Sequence, residues 1–213
     1  MAEVLDIFDE RFNKIGVEDR DVVHKEGYWH QTFHCWIITK HDGKNFVLVQ
    51  KRALAKKTAP GKYDFSAAGH LLAGETKEDG IREIQEELGI KVSTSKLIDL
   101  GIRISSSGTP GVKCNREYCH VCLLEDNTNL IDHNLQEEEV SALVEIEVSD
   151  GLKLFANEVE SVEGNALIEV DGKKRIEKVS IRADEFIYRL DPYYLKIFIM
   201  ADRYFKGEKY FAI

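Results

Sequence analysis

A chain that mixes helices with strands (α/β, in the sense of α+β) is predicted by two observations. Short β-branched and aromatic runs are divided by turn residues, and two stretches carry helical periodicity. The first helical stretch lies within residues 69–90, GHLLAGETKEDGIREIQEELGI, and the second within residues 191–207.

VLDIF at residues 4–8 reads as a short strand, and FNKIGVEDR behind it as a turn and an exposed connection. In HKEGYWHQTFHCWIITK, Trp29, Phe33, Trp36, Ile37 and Ile38 supply the surface of a buried strand. His24, His30 and His34 stand in or beside it. A single histidine there is more often a hydrogen-bonded strand residue than a ligand. HDGKN makes a hairpin turn at Asp42-Gly43, and FVLVQKR returns as the partner strand. ALAKKTAPGK is a basic connection, and YDFSAAG a further strand that delivers the chain to Gly69. Lys51, Arg52, Lys56 and Lys57 concentrate positive charge here, suited to phosphate oxygens or simply to a solvated loop.

The first helix opens at Thr76 with a capping signature, Thr76-x-x-Asp79, and closes after about three turns at Gly89. KVSTSKLIDLGIRIS supplies one or two strands, SSSGTPG a loop rich in breakers, and KCNREYCHVCLL another strand. An acidic loop at residues 136–139 precedes a strand in SALVEIEV. GLKLFANEVE has helical character, and NALIEVDGKKRIEKVSIR reads as a hairpin turning at Asp171-Gly172. Asp191 as N-cap and Pro192 at the first helical position open the last helix, whose core stripe is Tyr194, Phe198, Ala201 and Phe205.

At 213 residues the expectation is one domain over residues 1–213. Its core spans about residues 28–150 plus the helix at 191–207, with residues 151–190 as a β-rich insertion that shapes the substrate pocket or a homodimer face. Hydrophobic content of 43% excludes a disordered chain, and no apolar run reaches membrane-spanning length. The acids of MAEVLDIFDERFNKIG do not make a signal peptide, so a cytoplasmic protein without membrane attachment is expected. A net charge of −9 and a pI near 5.3 argue against nucleic-acid binding. Cys119 and Cys122 have a zinc-like C-x2-C spacing, but no second pair follows, so reduced thiols in a strand are the reading for them and for Cys35 and Cys114.

In the first helix Ile81, Ile84 and Leu88 fall on one side, and Glu83, Glu86 and Glu87 gather on the other. These acids form like-charge pairs at i,i+3 and i,i+4, each costing about 0.2–0.5 kcal/mol, and two of them face the negative end of the helix dipole. A hard divalent cation, Mg2+ or Mn2+, turns that repulsion into coordination. A solvated acidic face is the alternative.

This stretch resembles the Nudix box, the signature of enzymes that cleave a diphosphate linked to another group. Gly69 and Glu75 match its opening, and Arg82, Glu83, Ile84, Glu86, Glu87, Gly89 and Ile90 match its close. Six residues separate Glu75 from Arg82, one fewer than in the family's box, which puts their usual pairing in question. The resemblance implies an α/β/α sandwich with a mixed β-sheet, the box forming a loop-helix-loop. It also implies Mg2+ or Mn2+ held by Glu83, Glu86, Glu87 and the backbone carbonyl near Ala68-Gly69, with Arg82 orienting the acids. The expected substrate is a small-molecule diphosphate such as a nucleoside diphosphate derivative. Glu86, Glu87, Glu117 and the 136–139 loop are the alternatives for the base, and Lys51, Arg52, Lys57 and His70 for contacts to phosphate.

Over roughly residues 3–150 the chain is similar to the isopentenyl diphosphate isomerase-like branch. In isomerases of that branch, residues at the positions of His24, His30, His70 and Glu117 hold a metal, and all four are present; a second acid usual there is Asn115. The isomerases place a cysteine just before the Gly-His pair, where this chain has Ala68, which cannot move a proton. The box acids are kept, so hydrolysis is favoured. Isomerisation, or a ligand-sensing module that binds a diphosphate without turnover, are the alternatives.

Overall fold

The computed structural model describes residues 3–109 and 111–213, so that Met1-Ala2 of the acidic N-terminus and Pro110 of the SSSGTPG stretch lie outside the described residues. The centre of the molecule is β3 (Trp29–His41), which runs parallel to β8 (Lys113–Glu125) on one side. On the other side it is antiparallel to β4 (Lys44–Arg52) and β6 (Ala67–His70). The sheet is therefore mixed. β1 (Val4–Phe8) and β2 (Lys14–Asp19) extend it beyond β3, and β7 (Leu97–Thr109) pairs with β8. Beyond β4 come β9 (Val140–Glu147), β10 (Val162–Val170) and β11 (Lys173–Ile181), while β5 (Tyr63–Asp64) caps the end of β4.

Alternation along β3 divides its side chains between two cores. Trp36 and Ile38 join Cys119, Val121, Tyr193 and Phe198 under α3 (Val148–Phe155) and α4 (Tyr193–Phe205). Phe33, Cys35 and Ile37 join Cys122, Ile84 and Leu88 under α2 (Ile81–Leu88). Helices on both faces of a mixed sheet make the expected α/β/α sandwich. No helix among the described residues is long and apolar enough to cross a membrane.

Several local expectations are corrected. KIGVED is a strand, β2, although none of its residues is buried, so hydrophobic alternation could not mark it. Arg20, read as the end of an exposed connection, and His24 to Glu26, read at the start of the strand-bearing run, belong instead to α1 (Arg20–Glu26), which ends on left-handed Gly27. The run SSSGT continues β7 to Thr109 as a largely exposed ladder against β8, with polar side chains that read as loop. YDFSAAG is divided into β5 and β6 by Ser66, whose hydroxyl donates to the Leu48 carbonyl at 2.5 Å and accepts from the Ile37 N–H at 2.7 Å.

The box helix starts at Ile81, not Thr76. Asp79 accepts from the Thr76 N–H at 2.8 Å and from its hydroxyl at 2.9 Å, the acid half of the capping signature. The bonds that follow, Asp79 N–H to Thr76 O, Arg82 N–H to Asp79 O and Glu83 N–H to Gly80 O, span three residues, so the lead-in is a tight 3-10-like turn. Gly89 closes the helix at φ 73°, as expected. In α4, Pro192 is the N-cap and Tyr193 the first helical residue, because the Asp191 carboxylate is drawn away to Arg103 (Nε to Oδ1, 3.1 Å) and Lys196 (Nζ to Oδ2, 3.3 Å). The hairpin turn at Asp171-Gly172 is as read, with φ of 51° and 68°.

Candidate functional site

Strand β6 separates two clusters of polar side chains. Gly69, opposite Phe33, faces α2, and His70, opposite Thr32, faces the α4 side. A Cβ on Gly69 would lie 2.1 Å from Cδ of Glu83, so the Glu83 carboxyl rests directly on the Gly69 backbone and only glycine fits. Arg82 organises this corner. Its Nε donates to Glu75 Oε1 at 3.0 Å and its Nη2 to Glu75 Oε2 at 3.2 Å. Nη2 also donates to the His70 carbonyl at 2.9 Å, while Nη1 reaches Glu83 and lies 3.5 Å from Glu86 Oε2. The shortened loop therefore preserves the Glu75–Arg82 pair that the spacing put in question.

The three helix acids differ in environment. Glu86 is 55% exposed. Glu87, expected as a metal ligand with a solvated face as the alternative, is buried, and its carboxylate accepts from the Ala68 N–H at 3.1 Å and from Gln50 Nε2 on β4 at 3.3 Å. Burial, reinforced by Glu83, pushes the Glu87 carboxyl up to about 8, and the Ala68 N–H only partly offsets it. Burial also pushes Glu83 up to about 7 against the pull of Arg82. Burial outweighs the positive charge that Arg82 and Lys56 bring to these two neighbouring carboxyls. Closely spaced oxygen donors of this kind fit a hard divalent cation.

Across β6, ligand atoms of His24, His30 and His70 lie within 4.8 Å of one another. The Nδ1 of His24 is 2.8 Å from the Arg20 carbonyl and that of His30 is 3.1 Å from the Tyr28 carbonyl, so each donates Nδ1–H and leaves Nε2 as a lone pair. His30 Nε2 is buried with no hydrogen-bond partner among the described residues. Burial, then His30, holds His70 well below the usual imidazole range, which keeps it neutral. Neutral imidazoles anchored through Nδ1, with an orphaned Nε2, are a donor set that fits a metal ion.

Glu117 pairs with His30 in the β3–β8 ladder and lies on the α4 side of the sheet, away from the box acids. Its carboxylate lies within 4.8 Å of ligand atoms of His34 and Cys119, and its charge also acts on His30. Of the basic residues, Lys51 stacks its ammonium 5.1 Å from the Tyr63 ring, Arg52 donates Nε to the Thr58 carbonyl at 3.1 Å, and Lys57 is exposed. Lys56 is the one whose charge reaches Glu87, and it is tied there by an ion pair to Glu139 of the acidic loop. Gln50 escaped the sequence reading altogether: in FVLVQKR it was the one uncharged polar residue in a run otherwise apolar until Lys51, the available signal. A cavity of about 330 Å³ opens elsewhere, beside Phe8, Arg11, Trp29 and Arg116, and holds none of the acids.

A family profile described as NUDIX domain matches residues 29–161. A protein of Clostridium acetobutylicum described as an uncharacterised Nudix hydrolase is 38% identical over 201 residues, 93% of this chain and 96% of that one. An isopentenyl-diphosphate Delta-isomerase of Corynebacterium diphtheriae is 40% identical over 72 residues, 33% of this chain and 37% of that one. A solved Deinococcus radiodurans structure aligns with a TM-score of 0.54 at 18% identity, covering 73% of this chain and 90% of that one, which is a likeness of fold.

Proposed function

Given that the chain belongs to the Nudix hydrolase family, whose members act on diphosphate bonds, we propose that it cleaves the diphosphate of a small molecule such as a nucleoside diphosphate derivative, using Mg2+ or Mn2+. The observation that carries this reading is the gathering of two largely buried carboxyls, Glu83 and Glu87, against the Ala68-Gly69 backbone, where burial favours their protonated forms unless a cation replaces the protons.

Glu83, Glu86, Glu87 and the Ala68-Gly69 backbone would hold the cation. When bound, it supplies charge neutralisation to the diphosphate and lowers the pKa of a coordinated water. Arg82 fixes Glu83 and leans on Glu86, so the acids keep their spacing without the substrate. Glu87, clamped by Ala68 and Gln50, serves as a fixed ligand rather than a mobile base. Glu86, the exposed acid, is free to accept the proton of the attacking water at its carboxylate. Lys56, whose charge acts on Glu87, would meet the phosphates, with Lys51, Arg52 and Lys57 as outer positive charge, while His70 would contact phosphate only from the histidine side of β6. Glu117 acts from the histidine side of β6 and not on that water. The 151–190 segment is taken as a wall of the substrate pocket, in a single domain of residues 1–213.

Ala68 bears no ionisable atom, which disfavours isomerisation, and the intact Glu75–Arg82 fork supports turnover over mere binding. The test is phosphate or nucleoside monophosphate release from a panel of diphosphates with Mg2+ or Mn2+, run beside double-bond migration in isopentenyl diphosphate. Metal-dependent release from at least one diphosphate is expected. Binding without release, or migration without release, contradicts the proposal.

A further inference from the structure

The cavity of about 330 Å³ beside Trp29 lies at the start of β3, away from the box. Trp29 is four residues, or about 13 Å, along the strand from Phe33, which lies opposite Gly69. The Gln31–His120 hydrogen bond, 2.7 Å long, stands between them on the same side of the sheet. We propose that this cavity is a second small-molecule site, distinct from the box acids and from the histidine side of β6, and that it takes a nucleoside monophosphate.

Two arginines make the cavity a site for an anion. Arg11, in the turn between β1 and β2, and Arg116, on β8 opposite Trp29, both line it, and neither side chain has an ion pair or a hydrogen bond among the described residues. The Asp9 carboxylate, which also lines the cavity, is taken up by its own turn. Its Oδ1 accepts the N–H groups of Arg11 and Asn13 at 2.9 and 2.8 Å, and its Oδ2 accepts Asn13 Nδ2 at 2.9 Å. Two unpaired guanidiniums that meet at one cavity from separate elements match a phosphate monoester, which carries close to two negative charges above its second pKa of about 6 and offers three acceptor oxygens. A carboxylate would fill one fork and leave the other arginine without a partner.

The rest of the lining suits a base and a sugar. Trp29 stacks on Tyr118 with ring centroids 4.9 Å apart, and the Tyr118 hydroxyl donates to the Asp9 carbonyl at 2.9 Å. That bond ties the turn carrying Arg11 to the strand carrying Arg116, so the two guanidiniums and the indole keep a common frame. Tyr28, 37% exposed, lines the cavity beside Trp29. Aromatic surface of this kind stacks any nucleobase, because every base has a π-face. Glu10, the exposed acid of the lining, is an acceptor for ribose hydroxyls, a role that an acidic residue often takes toward a nucleotide sugar. The volume is near the lower end of small-molecule sites, about 300–1,000 Å³, and suits a mononucleotide better than a dinucleotide.

The full-length protein in EDTA is titrated with the common nucleoside 5′-monophosphates, followed by calorimetry and by tryptophan fluorescence. At least one should bind and change the emission, and should do so equally in Glu87→Gln, whose box is altered. The change should vanish in Trp29→Phe, because Trp36, the other tryptophan, is fully buried in the core. Arg11→Gln and Arg116→Gln should each weaken binding by about 10–100-fold, the cost of a charge-assisted contact, with an unchanged circular dichroism spectrum. The matching nucleoside, which lacks the phosphate, and ribose 5-phosphate, which lacks the base, should each bind more weakly by about ten-fold or more. No binding by any of the nucleotides overturns the proposal, and so does binding that Arg116→Gln leaves intact or that ribose 5-phosphate equals. None of these results touches the diphosphatase reading, which rests on α2.

Discussion

Arg82 grips Glu75 through two edges of its guanidinium, Nε to Oε1 at 3.0 Å and Nη2 to Oε2 at 3.2 Å, across only six intervening residues. The tight turn over residues 77–80 takes up the missing residue before α2 begins, so the helix acids keep their relation to Gly69. A planar fork of this kind is not reproduced by an ammonium. Arg82→Lys is expected to lower diphosphate release by about 10–100-fold, the usual cost of losing an outer partner of a metal site, with an unchanged circular dichroism spectrum.

Glu87→Gln removes a negative ligand while leaving an oxygen for Ala68 N–H. Because burial already disfavours the charged form of Glu87, the metal-free variant should melt no lower than wild type at pH 8, where the wild-type carboxyl, with its pKa of about 8, is half ionised. The same variant should lose diphosphate release. Thermal melts and a release assay on one preparation separate the two effects.

Gly69→Ala places a methyl 2.1 Å from Glu83 Cδ. The side chain of Glu83 must swing away from β6, which breaks its contact with Arg82. A fall of about ten-fold or more in Mn2+ affinity by calorimetry is expected. Equal affinity in the two proteins would mean that Glu83 does not hold the metal.

Stability should depend on pH through Glu83 and Glu87. Both have folded pKa values, about 7 and about 8, above the ordinary glutamate value of 4.5. Between these values the folded state holds protons that the unfolded chain has released, so stability falls as pH rises from about 5 to about 8, on the order of a few kcal/mol in all. A divalent cation replaces those protons. The gain in melting temperature on adding Mg2+ or Mn2+ should therefore be larger at pH 8 than at pH 6, and a gain independent of pH would contradict the assignment.

The box acids and Arg82 were legible because their spacing along a short helix is fixed by sequence alone, and Gly69 because the box pattern includes it. What was not legible depends on contacts between strands. The burial of Glu87 was not legible, because it comes from Gln50 on β4 and the Ala68 N–H on β6. The charge of Lys56 acts on Glu87 where Glu139, 83 residues away in the chain, pairs with it. His34 meets Cys119 and Glu117 only because β3 and β8 run parallel, a pairing that no local pattern announces. β2 and the end of β7 escaped notice because their ladders are exposed, with little apolar alternation to read.

Anomalous diffraction from a crystal of the protein grown or soaked with Mn2+ tests the central claim most directly. A manganese peak is expected among Glu83, Glu86, Glu87 and the backbone at Ala68-Gly69. A crystal with manganese bound only elsewhere, and with those carboxylates still packed as in the metal-free protein, would contradict it.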